Sequence, residues 1–214
     1  KKMNSSKKFF LLTTVICLLP MLFGIAVCGK VPAEIPMKWY SDGSVGQYMP
    51  KEVTIFGLPL FLAVINGVVH FAINTDPKKA NIGSSLKMIG KWICPLASLI
   101  AVPCALLYGM GYRVPMERVI PIVIGIAFVA AGNYFPKSRR NYTVGIKIPW
   151  TLNSDENWKK THHLAAYMWM ISGVLIILMA ILPGGFLYVG LPAAILLMAF
   201  VPIVYSYLLY RKGI

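Results

Sequence analysis

Negative charge is scarce in this chain. Its 214 residues carry 7 Asp and Glu against 21 Lys and Arg, a formal net charge of +14. The seven acids are Glu34, Asp42, Glu52, Asp76, Glu117, Asp155 and Glu156, and all fall in connections or at the edges of apolar runs. No acid sits in the middle of an apolar run. A carboxylate relay of the kind proton-driven transporters use therefore has no support. An intramembrane aspartyl protease, which needs two carboxylates sharing a site, has none either. HExxH is absent, there are three histidines, and no catalytic residues are assigned. The four cysteines, Cys17, Cys28, Cys94 and Cys104, form no CxxC and lie in or beside apolar segments. That pattern reads as small buried hydrophobes rather than a disulfide framework or a zinc site. No metal or other cofactor is expected.

Charged residues of both signs make up only 13%, about half the share of a soluble domain, while 57% are hydrophobic and mean hydropathy is +0.68. Six apolar runs approach the roughly 20 residues a bilayer core requires: 9–28, 53–73, 92–112, 119–135, 164–182 and 186–210. The fold class is therefore all-α, a polytopic membrane protein with six transmembrane helices, read as one membrane domain over 1–214. Strand alternation, the mark of a membrane barrel, is missing. The first run follows Lys1, Lys2, Lys7 and Lys8, as in a signal peptide, but its length and the Val27 before Cys28 favour a retained helix. With the N-terminus inside, sixteen of the 21 Lys and Arg fall in cytoplasmic segments and five outside. Both termini are then cytoplasmic. The basic charge thus serves topology and anionic headgroups, and no direct nucleic-acid contact is expected. Prolines interrupt several runs, among them Pro20, Pro95, Pro103, Pro121, Pro192 and Pro202. They read as ordinary membrane-helix kinks, with a hinge as the sharper alternative.

Three polar features stand out. Asn66, His70 and Asn74 share one face of the second helix at i, i+4, i+8. Such a face either glues helices together by hydrogen bonds or lines a polar path through the membrane. The external loop, 29–52, contains Ser41-Asp42-Gly43-Ser44 turn chemistry and places Trp39 and Tyr40 at headgroup level. The cytoplasmic connection, 132–163, is the most polar segment of the chain. Lys137, Arg139 and Arg140 anchor it, and 142–148 is β-prone. Ser154 suits a helix N-cap with Asp155 and Glu156 in the first turn, opening a short amphipathic helix. Trp150 and Trp158 either sit at the interface or clamp the connection to the bundle. His162 and His163 point about 100° apart, so they do not chelate as a pair and read as interfacial.

The run N-Y-F-P-K followed by N-Y-T-V-G-I-K-I-P-W-T-L-N-S-D-E-N-W-K-K-T-H resembles the signature of the SdpI-type immunity protein family. The matching residues are Asn133, Pro136, Lys137, Asn141, Gly145, Ile146, Pro149, Trp150, Thr151, Leu152, Ser154, Trp158, Thr161 and His162. Lys147, Ile148 and His163 depart from the usual Arg, Thr and Arg. Ile35, Pro36, Trp39 and Gly43 similarly resemble the IPxxW-type motif of an N-terminal domain of unknown function that accompanies the family. There Lys38 replaces a His and Gly46 an Asp. The resemblance implies a multi-pass protein of the bacterial plasma membrane, not an enzyme, that confers immunity to a secreted peptide toxin outside. It also implies signal transduction by holding a cytoplasmic repressor at the membrane. A small-molecule or lipid transporter using the Asn66–His70 face is the alternative.

Overall fold

Residues 5–40, 44–182 and 186–214 are described by the computed structural model. Among the described residues, six helices are long and apolar enough to cross a membrane. They are α1 (Ser5–Val27), α2 (Leu58–Thr75, entered through a π-helical stretch at Val53–Gly57), α3 (Ser84–Gly109), α4 (Met116–Tyr134), α6 (Asp155–Ile181) and α7 (Leu187–Arg211). A five-residue helix α5 (Pro149–Asn153) precedes α6. Many large apolar side chains face outward, such as Val64 at 65% and Phe71 at 70% exposure. Such a surface is untenable in water and suits a hydrocarbon solvent. The chain is a multi-pass membrane protein.

Two departures from the sequence reading concern helix ends. α3 begins at Ser84 and α6 at Asp155, a little over two turns before their apolar runs. The N-terminal turns of α6 are thus the expected short amphipathic helix, fused to the span. Ser154 caps it, accepting the Asn157 N–H at 3.2 Å. A third departure is the 29–52 loop, which forms a hairpin. β1 (Glu34–Trp39) and β2 (Val45–Pro50) pair antiparallel, with Ile35 opposite Met49 and Trp39 opposite Val45.

The contacts divide the chain into two compact units, each described by itself: residues 1–71 with 91–120, and residues 72–90 with 121–214. In the first, the hairpin is seated by Ile35, fully buried among Val31, Ile55, Val102 and Leu106. Trp39 packs edge-on to Tyr108, with ring centroids 5.6 Å apart. Pro36 has no N–H to donate, and a bulge follows between Pro36 and Lys38. Ser98 Oγ donates to the Cys17 carbonyl at 2.6 Å, joining α3 to α1. Cys17 and Cys94 are buried, Cys28 and Cys104 half-buried, and all four thiols are free.

In the second unit, α4 and α6 approach closely at small residues. A Cβ on Gly173 would lie 2.6 Å from the Gly125 carbonyl oxygen, and one on Gly132 3.0 Å from that of Ala166. Small residues at helix crossings maximise dispersion contact where lipid offers no hydrophobic drive. α6 and α7 are joined by a buried polar staple. Asn157 Nδ2 donates to the Ser206 carbonyl at 3.0 Å, and its Oδ1 accepts from Ser206 Oγ at 2.6 Å and Thr161 Oγ1 at 3.0 Å.

Candidate functional site

The segment 138–162 folds onto the start of α6 through hydrogen bonds that nearly all end on buried groups. Asn141 is fully buried and uses its whole amide. Its Oδ1 accepts from the N–H groups of Thr143 (3.0 Å) and Val144 (2.7 Å). Its Nδ2 donates to the Arg139 carbonyl (2.9 Å) and Ser138 Oγ (3.1 Å). The first pair is an Asx turn, which replaces the strand that β-propensity suggested for 142–148. Residues 141–148 contain no strand.

Trp158 and His162 form the anchor. The indole is 2% exposed and donates from Nε1 to the Ser138 carbonyl at 2.9 Å. The imidazole stacks on it, with centroids 4.0 Å apart and planes 20° apart. The Ile146 N–H donates to His162 Nε2 at 2.9 Å, so that nitrogen is the acceptor. Nδ1 lies 2.9 Å from the Trp158 carbonyl and must carry the proton to donate there. Both ring nitrogens are satisfied only in the neutral Nδ1–H form. His162 is therefore a buried structural histidine, not the interfacial one expected. His163 does lie exposed, edge-on to Tyr167.

Gly145 makes the stack possible. Its φ is +113°, a conformation side chains disfavour, and a Cβ there would overlap His162 Nε2. Thr151, fully buried, closes the next turn: its Oγ1 accepts from the Ile148 N–H at 3.1 Å and lies 2.7 Å from the Ile146 carbonyl oxygen, to which it donates. Pro149 opens α5. Trp150 is half-buried against Tyr207 and Tyr210 of α7. Of the two roles open to the tryptophans, clamping describes both, Trp158 by burial and Trp150 by ring contact. Asn133, Pro136 and Lys137 are exposed, with Lys137 Nζ 4.4 Å above the Tyr134 ring.

Two residues that sequence reasoning passed over complete the site. Asp76 is 5% exposed. Its Oδ1 accepts from the Lys78 N–H at 2.6 Å, and its Oδ2 from the Tyr142 N–H at 2.9 Å and Thr143 Oγ1 at 2.7 Å. Burial alone pushes this carboxyl up. The Thr143 hydroxyl and the backbone donors outweigh it and hold Asp76 below the ordinary carboxylate value. The Asp-Pro-Lys-Lys turn was its only local signal. Asn157 is the second, visible only as a polar residue four before Thr161. Asn81 adds a further tie, donating from Nδ2 to the Arg140 carbonyl at 2.7 Å and accepting the Arg139 N–H at 2.9 Å.

In the first unit, Asn66 and His70 are 1% and 3% exposed and meet at Thr13. Asn66 Nδ2 donates to Thr13 Oγ1 at 3.1 Å and Thr14 Oγ1 at 3.2 Å, and His70 Nε2 lies 3.1 Å from Thr13 Oγ1. Asn66 Oδ1 and His70 Nδ1 are buried and, among the described residues, have no hydrogen-bond partner. Asn74 falls in the second unit, where its carbonyl accepts from Lys79 Nζ at 3.3 Å. On the hairpin, Ile35, Pro36 and Trp39 are the seating residues, and Lys38 is exposed 5.5 Å over the Tyr40 ring. Gly43 lies outside the described residues. A Cβ on Gly46 would meet the Tyr40 ring at 2.8 Å, so this departure from the family motif accommodates an aromatic side chain. Among the described residues, no three His, Cys, Asp or Glu side chains gather as metal ligands.

The comparisons with known proteins cover both regions. The SdpI/YfhL protein family matches residues 137–206, spanning the buried anchor, α6 and most of α7. Domain of unknown function DUF1648 matches residues 15–63, spanning most of α1, the hairpin and the entry to α2. The Immunity protein SdpI of Bacillus subtilis (strain 168) is 25% identical over 210 residues, covering 96% of this chain and 97% of that one. No solved structure matches. The loop built on Asn141, Gly145, Trp158 and His162 thus lies where the chain is similar to the SdpI/YfhL protein family, and the likeness to Immunity protein SdpI extends over nearly the full length of both chains.

Proposed function

We propose that this protein confers immunity in the membrane against a secreted peptide toxin, met outside by the β1–β2 hairpin. The observation that carries the reading is the near full-length match to an immunity protein, which spans the hairpin as well as the cytoplasmic anchor. The hairpin suits a peptide. Its inner face is fixed by Ile35 and Trp39, while Tyr40 and Tyr48 are 38% and 55% exposed beside Lys38. Exposed tyrosines on a rigid support are good contact residues, because they add area at little entropic cost. The cytoplasmic loop then acts as the second half of a receptor, holding a repressor when toxin is bound. Such signalling requires two states with different toxin affinity. No step in this reading makes or breaks a covalent bond, so the protein is not an enzyme.

The test is survival of a sensitive bacterium expressing the protein under a cannibalism-type peptide toxin. Lys38, Tyr40 and Tyr48 are replaced singly by Ala, and membrane abundance is checked. Loss of protection at unchanged abundance supports the hairpin as the toxin site. Full protection by all three variants contradicts it.

Asn66 Oδ1 and His70 Nδ1, buried with no partner among the described residues, favour a second reading, a small-molecule or lipid transporter with a polar path at α2. Substrate uptake by vesicles, lost in His70→Ala while peptide protection persists, is the result that selects it.

A further inference from the structure

We infer that the cytoplasmic mouth of the second unit is a binding site for a phosphate group, presented either by an anionic lipid headgroup or by a soluble phosphate. A cavity of about 570 Å³ opens between the end of α4 and the start of α6. Its walls carry Lys137, Arg139, Arg140 and Lys159, against the single acid Asp155. Four cations around one carboxylate leave a positive excess in a concave space, where low-dielectric walls focus the field. Arg140 is already committed: its Nε pairs with Asp155 at 2.9 Å and its Nη1 donates to the Leu152 carbonyl at 2.9 Å. The pair removes the local acid from competition and leaves Lys137, Arg139 and Lys159 to face a ligand. All three are exposed, and among the described residues none has an acidic partner within ion-pair distance.

The floor argues for a permanent site rather than loose surface charge. It is made by Trp158 and His162, both buried, and by Ser138 and Asn81, whose hydrogen bonds fix the 138–141 backbone. The basic walls therefore stand on a hydrogen-bonded floor of largely buried side chains. The charge distribution puts this mouth on the cytoplasmic side, at the depth of the headgroups. A phosphate needs point charges with freedom to adjust and a planar donor for bidentate contact, which two lysines and an arginine supply.

The test uses the purified full chain in detergent. Native mass spectrometry counts bound phosphatidylglycerol or phosphatidylcholine, with inorganic phosphate added as a competitor. The triple variant Lys137→Gln, Arg139→Gln, Lys159→Gln is compared with a charge-matched control, Lys30→Gln, Lys38→Gln, Arg113→Gln, on the opposite side. The wild type and the control are expected to retain phosphatidylglycerol over phosphatidylcholine, and the triple variant to bind it at least about tenfold more weakly. Each cation near a charged headgroup is worth roughly fivefold. Lys137→Arg with Lys159→Arg is expected to restore binding, which separates charge loss from misfolding. Inorganic phosphate that displaces lipid only at high millimolar levels assigns the site to the headgroup. Phosphate retained without any lipid preference assigns it to a soluble ligand. Equal binding by the triple variant and wild type, or equal loss in the control, overturns the site.

Discussion

Gly145→Ala isolates the geometry on which the loop before α6 depends. Two terms add. Alanine at φ +113° carries backbone strain of about 1–3 kcal/mol. The new methyl also overlaps His162 Nε2, so the imidazole must move away from the Ile146 N–H. Leaving that buried donor and acceptor unpaired costs a further 1–3 kcal/mol or so. The sum, about 2–6 kcal/mol, corresponds to a fall of roughly 4–24 °C in midpoint for a chain of this size. The assay is thermal unfolding of the detergent-solubilised protein, followed by size-exclusion chromatography with tryptophan detection. Gly111→Ala is the matched control, because Gly111 has φ +90° with no atom within 4 Å of its would-be Cβ. It reports strain alone and should fall less. Gly145→Ala combined with His162→Ala should cost less than the two single changes added, since removing the ring removes the overlap. A Gly145→Ala protein that melts with the wild type would refute the reasoning.

Asp76→Asn replaces an acceptor of three hydrogen bonds and should lower stability at neutral pH by about 1–3 kcal/mol. Because the folded carboxyl is held below its ordinary value, its stabilisation is full above the unfolded value of about 3.9 and is lost as pH falls through the folded one. The gap between wild type and Asp76→Asn, followed by melting against pH, should therefore close below about pH 4 and stay constant above it. In the staple between α6 and α7, Asn157→Ala and Ser206→Ala should each destabilise by roughly 1–3 kcal/mol. Their double mutant should show coupling of about 0.5–3 kcal/mol, and strictly additive costs would mean the two side chains do not act together. His70→Ala should leave toxin protection intact under the immunity reading. Loss of protection at unchanged membrane abundance would bring the α2 polar cluster into the function.

The six spans were legible because a run of apolar residues has one use at this composition. Their polar ends were not. Ser84–Lys91 and Asp155–Lys160 carry charges that end a hydropathy window but not a helix, so α3 and α6 begin earlier than hydropathy suggests. The hairpin was hidden for a different reason. Two prolines and a bulge blur its alternation, and it is held mainly by Ile35 packing on Ile55, Val102 and Leu106, residues far away in sequence. In the loop before α6, the resemblance pointed at Asn141, Gly145, Trp158 and His162 without saying what they do. Their partners lie up to 20 residues away, as with Trp158 and Ser138. Asp76 and Asn157 stayed invisible because each completes its hydrogen bonds on elements 49 to 67 residues distant. Buried polar groups must find partners, but a sequence does not say where.

The central claim is immunity, and survival tests it most directly. A toxin-sensitive bacterium carrying this protein or an empty vector is exposed to a cannibalism-type peptide toxin, and growth is compared at matched membrane expression. The account predicts that the expressing cells keep growing at toxin levels that halt the control. Equal killing of both, with the protein present in the membrane, would contradict it.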